Sequence, residues 1–200
     1  LSLVVLRDPH ARLISLYLNK FVVRSGNRDI FESYANLTGL DPEKASFRQF
    51  LTNYVDRFPF KRLDCHLLPQ IAHMGRFPYN GPVRFESLYS DLTRVLGERY
   101  AEKYFRKKVN ATTYSDTAPA ASVNCMTDAA TLAEIYATEG AVPSSSHFMC
   151  DALEHTVRTK YAHDVSIVDK LNADYRRCGD EQVPVLDAHI PLTRPFHLFS

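Results

Sequence analysis

The chain opens on an apolar run, Leu1-Ser-Leu-Val-Val-Leu6, that leads directly into Arg7-Asp8-Pro9. No other stretch constrains the fold as much. A short run rich in Val and Leu predicts a strand buried on both faces, the pattern of a parallel sheet. Asp8 is a good helix N-cap, because its carboxylate accepts from the free N–H groups of the first turn. Pro9 then falls at the first helical position, where a missing N–H costs nothing. Leu13, Leu16, Tyr17 and Phe21 follow at helical spacing and are expected to pack inward. The segment reads as a strand–turn–helix unit with cationic and hydroxyl groups around its turn. In an α/β sheet such a junction is where an anionic ligand binds. Arg7 at the strand end offers a planar fork of donors, and Ser15 farther along the helix adds a hydroxyl, so both could reach one phosphate. An Arg–Asp pair that only caps a helix accounts for the same spacing.

The series Arg7-Asp-Pro-x-x-Arg12-x-x-Ser15-x-Tyr17-x-x-Lys20-Phe21 resembles the 3′-phosphate-binding segment of sulfotransferases, especially the carbohydrate group called type 2. Those enzymes use 3′-phosphoadenosine 5′-phosphosulfate (PAPS). The resemblance implies that Arg7 and Ser15 hold the 3′-phosphate. It puts Arg12 and Lys20 in support, with a bridge to Asp8 as the other role for Arg12. Later segments agree in order and rough spacing. Phe60-Lys-Arg-Leu-Asp-Cys-His66-Leu-Leu-Pro69-Gln70 resembles the family's His-x-x-Pro-Gln element. Val83-Arg-Phe85-Glu86-Ser-Leu88 through Asp91-Leu92 to Leu96-Gly97 resembles its strand–Glu–Leu–Asp–helix–Leu–Gly element, and Tyr161-Ala-His-Asp164 its Tyr-x-x-Asp. Val109-Asn110-Ala-Thr112 matches a loop bordering the nucleotide, which implies that Asn110 and Thr112 line the cofactor site.

The fold this implies is α/β, of the P-loop nucleotide-binding sulfotransferase type: a parallel sheet flanked by helices, with a largely helical C-terminal part. Residues 1–200 are expected to form a single sulfotransferase domain, with a core over 1–178 and an irregular tail over 183–200. The family also has an upstream strand, a Lys/Gly/Thr-rich loop and a helix, whose backbone N–H groups cradle the 5′-phosphosulfate. This sequence begins past that unit and without Met, so it reads as the C-terminal portion of a longer protein or as a product lacking its front.

Composition bounds the function classes. With 45% hydrophobic and 24% charged residues the chain can bury a core. A net charge of +1 does not suggest nucleic acid as a partner, so an anionic cofactor must be met by local Arg and Lys. No apolar run approaches the ~20 residues that span a bilayer. Cys65, Cys125, Cys150 and Cys178 form no Cys-x-x-Cys pair, so no zinc site and no metal is expected. Free thiols suit a reducing compartment, and disulfides would suit a secretory-pathway enzyme. The expected location is the cytoplasm for a bacterial protein, or the Golgi lumen behind an upstream membrane anchor.

Helices are expected from a Ser46 cap through the stripe Phe47, Phe50, Leu51, Tyr54, Val55 and Phe58, from Glu86 to a stop at Gly97, and over Glu98–Lys108, Thr127–Thr138 and Asp151–Asn172. Asp151 with Glu154 is expected to cap the last of these. Val83–Phe85 reads as a short strand, and 111–125 as a loop.

Sulfuryl transfer to a hydroxyl needs an aligned acceptor, removal of its proton, and stabilised charge on the leaving phosphate. A base of His, Glu or Asp type is expected near the acceptor, a carbohydrate or another hydroxyl compound. His66 is the preferred candidate, with Asp64 before it and Pro69-Gln70 beyond. Holding a loop is its structural alternative. Glu86, after the short strand, is the second candidate, with charge at a helix N-terminus as its alternative role. Two other functions remain open at this point: a nucleotide-dependent kinase-like enzyme, and a non-catalytic sulfotransferase-like binding protein.

Overall fold

The computed structural model describes residues 1–24, 29–75, 78–106, 113–115, 122–178 and 182–186. Asn110 and Thr112 lie outside them, as does most of the expected tail. In chain order the elements are β1 Leu3–Leu6, α1 Pro9–Tyr17, α2 Asp29–Thr38, α3 Phe47–Phe50, β2 Gly81–Arg84 and α4 Leu88–Leu96. They continue with α5 Glu98–Phe105, β3 Tyr114–Ser115, α6 Ala129–Glu139, β4 Val142–Pro143, α7 Asp151–Lys160 and α8 Ala162–Cys178. Among the described residues the architecture is mixed α/β and mostly helical, with two parallel pairs, β1–β2 and β3–β4. The chain divides into two compact units. One comprises Leu1–Pro9, Pro69–Ala111 and Ala162–Ser200, the other His10–Leu68 and Thr112–Tyr161.

In the first unit β1 and β2 run parallel in the register Leu3↔Gly81 to Leu6↔Arg84. The approach at Gly81 is close: a Cβ there would lie 3.0 Å from a Val95 methyl and nearer still to a Leu3 methyl, so those side chains would have to give way. One face of β1 is buried. Leu6, with Val4 beside it, packs on Ile167, Val168, Leu171 and Tyr175 of α8, together with Tyr79 and Leu186. Leu3 and Val5 point the other way and are 42% and 47% exposed. The expectation of a strand buried on both faces is therefore corrected: the two-residue period separates a covered face from one left open by the described residues. Val83 of β2 packs instead on Leu92 and Ala101, so α4 and α5 cover that strand. Gly97 (φ +85°) breaks α4 from α5, in a conformation that side chains with a Cβ rarely adopt.

The second unit is built on aromatic rings. Tyr17 of α1 lies 5.2–6.3 Å, centroid to centroid, from Phe21, Phe47, Phe50 and Phe148. Its hydroxyl donates to the Ala45 carbonyl at 2.8 Å, and burial pushes the phenol far above its ordinary range. Ser46 caps α3 as expected, in a reciprocal capping box with Gln49. The helix then widens into a π turn over Leu51–Val55, as α1 does over Leu18–Val23.

Two further expectations are corrected. The single helix over 151–172 is two, α7 and α8, separated at Tyr161. The Tyr161 hydroxyl donates to the Leu67 carbonyl at 2.7 Å and its ring meets Phe60 edge-on, so tertiary contacts override the helical pattern there. The Asp151 cap is also absent. Asp151 forms a bidentate ion pair with Arg48, which holds its carboxyl below the usual carboxylate range, and Cys150, at the N-cap position of α7, makes no side-chain cap.

Candidate functional site

Because β1 and β2 are parallel and Leu6 pairs with Arg84, the two strands end side by side. The residues after each strand, Arg7-Asp8 and Phe85-Glu86, therefore leave the sheet at one carboxyl edge. That edge is where open α/β sheets bind ligands. The Arg7 guanidinium lies 4.5 Å over the Phe85 ring, and the Asp8 N–H donates to Glu86 Oε1 at 3.2 Å. Glu86 is exposed and sits in the 3-10 turn Phe85–Ser87 ahead of α4, so it does not open the helix as expected.

The backbone of Arg7 is gripped on both sides by one side chain. Its N–H donates to Gln70 Oε1 at 2.9 Å, and its carbonyl accepts from Gln70 Nε2 at 2.8 Å. Gln70 is held in turn by Asp164 in the first turn of α8. The backbone N–H groups of Gln70 and Ile71 donate to the Asp164 carboxylate at 2.7 and 3.1 Å. Pro69 supplies no side-chain cap to the 3-10 turn Gln70–His73, and Asp164 supplies it from elsewhere in the chain.

The remaining candidates lie in the second unit. Arg12 Nη2 donates to the carbonyls of His66 and Leu68 at 2.7 and 2.6 Å, which ties α1 to the His66 segment. His66 Nδ1 is 2.6 Å from Asp64 Oδ1, and the same oxygen accepts the His66 N–H at 2.8 Å. The imidazole is 57% exposed. A tautomer with its proton on Nδ1, donating to Asp64, leaves Nε2 free to accept one. Cys65 Sγ lies 3.8 Å from Nδ1, and Asp64, Cys65 and His66 each offer a possible metal-ligating atom within 4.8 Å of the others. Ser15 is half-buried and its hydroxyl makes no hydrogen bond to the described residues. Among the described residues no helix is long and apolar enough to cross a membrane.

The sulfotransferase family model matches residues 1–138 of the 200. No curated protein and no solved structure matches the chain. The chain belongs to the sulfotransferase family, and the enzyme class this defines is a transferase. The matched residues include Arg7, Arg12, Ser15, His66, Gln70 and Glu86, while Asp164 lies beyond them.

Gln70, Asp164 and Phe85 act on Arg7 without having been assigned a role from the sequence. All three stand within the motifs that carry the resemblance, but the contacts that tie them to Arg7 span 63 residues or more, which no local spacing shows.

Proposed function

We propose that the chain moves a sulfuryl group from PAPS to a hydroxyl of a carbohydrate acceptor, on a P-loop-type sulfotransferase scaffold. The observation that carries this reading is the emergence of Arg7 at the shared carboxyl edge of β1 and β2, its backbone clamped and its guanidinium resting on Phe85. Arg7 is the 3′-phosphate ligand. A guanidinium matches two phosphate oxygens with two parallel N–H donors, and it does so best when it need not be ordered on binding. Ser15 is assigned to the same phosphate by resemblance alone, as are Asn110 and Thr112 to the nucleotide. The donor carries the activated sulfuryl group; the chain binds, orients and deprotonates. Membership of the sulfotransferase family favours this reading over the kinase-like one.

The test is calorimetric titration with 3′-phosphoadenosine 5′-phosphate (PAP) and, separately, with AMP. The wild type is expected to prefer PAP, and Arg7→Ala to lose affinity for PAP by about 10–100-fold with AMP little changed. Equal affinities in the wild type would move the chain to the non-catalytic binding reading.

His66 is the base in this proposal. Asp64 on Nδ1 orients the ring, so that Nε2 accepts the acceptor's proton. His66→Gln is then expected to lower kcat by about 10²-fold, with PAP affinity retained. Glu86→Gln is expected to lower it less, because Glu86 accepts the Asp8 N–H and so stabilises the turn. The reverse order in kcat would transfer the role to Glu86.

A further inference from the structure

We propose that Gln70 and Asp164 are positioning residues that set the angle at which Arg7 meets the nucleotide's 3′-phosphate, an inference that rests on the assignment of Arg7 to that phosphate. β1 stops pairing with β2 at Leu6, so the backbone N–H and carbonyl of Arg7 have left the β ladder. The Gln70 carboxamide takes the ladder's place. It has one acceptor and one donor side by side, and it meets the Arg7 N–H at 2.9 Å and the Arg7 carbonyl at 2.8 Å. Such a pair fixes the peptide planes on both sides of the Cα, and with them the direction in which the side chain leaves. Phe85 then fixes the far end of that side chain, with the guanidinium carbon 4.5 Å from the ring centroid.

A clamp is only as rigid as its own anchor. Gln70 stands at the start of a 3-10 turn whose free N–H groups would otherwise be held loosely. Asp164 accepts two of them, at 2.7 and 3.1 Å, and is 1% exposed. A buried carboxylate that accepts several hydrogen bonds holds its partners at higher energy cost to displace than an exposed one. Asp164, the Gln70 backbone, the Gln70 carboxamide and the Arg7 backbone thus form a continuous hydrogen-bonded series from α8 to the end of β1. Asp164 acts through Gln70.

The measured quantity is the ratio of PAP to AMP affinity, obtained by calorimetry on the full chain. Gln70→Met keeps the length of the side chain and removes both hydrogen bonds; the ratio is expected to fall about ten-fold, with AMP affinity retained. Asp164→Asn turns a carboxamide N–H donor toward one of the two backbone N–H donors and is expected to lower the ratio by a smaller factor in the same direction. Gln70→Glu supplies a second, independent readout. Its ionised carboxylate repels the Arg7 carbonyl, but the protonated form restores a donor there. Measured against the wild type at each pH, its ratio is expected to recover as pH falls from 7.5 toward 5, approaching the carboxyl's ordinary pKa of about 4.3. A general packing role would not produce that recovery. An unchanged ratio in Gln70→Met, or an equal loss for PAP and AMP, overturns the clamp while leaving Arg7 in place. A wild type without preference for PAP, or Arg7→Ala with preference intact, overturns the Arg7 assignment and the clamp with it.

Discussion

Asp91→Ala is expected to destabilise the protein by about 3–5 kcal/mol, the cost of stripping a guanidinium of its buried counter-ion. For a chain of this length that is a fall in Tm on the order of 10 °C. Asp91 is fully buried in the first turn of α4, where a negative charge also faces the helix N-terminus favourably. It accepts three hydrogen bonds from Arg84: from the backbone N–H at 2.9 Å, and from Nε and Nη2 at 2.8 Å each. Arg84 in turn lies 4.2 Å over the ring of Tyr175, whose hydroxyl donates to the Pro82 carbonyl at 2.6 Å. One carboxylate therefore fixes the last residue of β2, just before the turn that presents Phe85 and Glu86. Urea and thermal unfolding check the single variant. The double variant Arg84→Met/Asp91→Leu is expected to recover most of the loss, since replacing both charges leaves neither uncompensated. A single-variant loss under about 1 kcal/mol would mean that Arg84, 22% exposed at its side chain, is satisfied by water and that the pair behaves like a surface ion pair.

What the amino-acid pattern revealed, and what it hid, follows from the range of each interaction. Pro9 starts α1, Ser46 caps α3 and Gly97 ends α4, because capping and stop signals act within one helical turn. Leu13, Tyr17 and Phe21 are buried as their spacing requires, although Leu16 is only half-buried. Burial of β1 on a single face was not legible, because what covers a strand is decided by elements remote in sequence, here α8. The break at Tyr161 was hidden for the same reason: its hydroxyl is drawn to a carbonyl 94 residues away. The candidate site divides along this line too. Arg7 stands out from its neighbours in the strand–turn–helix unit. The carboxamide that clamps it comes from 63 residues along the chain, and the carboxylate that anchors the carboxamide from 94 residues beyond that. No window of local spacing contains all three.

The second large effect is expected in the aromatic cluster, where Phe50→Ala should cost about 3–5 kcal/mol. Phe50 is fully buried and closes α3 at the point where the helix widens into its π turn. Its ring lies 5.2 Å from Phe21, edge to face, and 5.7 and 6.0 Å from Tyr17 and Tyr54. Truncation removes a large apolar surface and several ring pairs, each worth about 0.5–1.5 kcal/mol beyond the area they bury. The neighbours are poorly placed to fill the space. The Tyr17 and Tyr54 hydroxyls are fixed by hydrogen bonds to the Ala45 carbonyl and to Ser33, so their rings cannot slide inward without breaking them. Phe58, half-buried at the edge of the cluster and 6.4 Å from Tyr54, provides the internal comparison. Phe58→Ala opens a space that water can enter, and it is expected to cost about half as much. Urea unfolding of both variants measures the difference directly. If Phe50→Ala costs no more than Phe58→Ala, the rings have collapsed into the vacancy, and the two tyrosine hydrogen bonds are weaker restraints than their geometry implies.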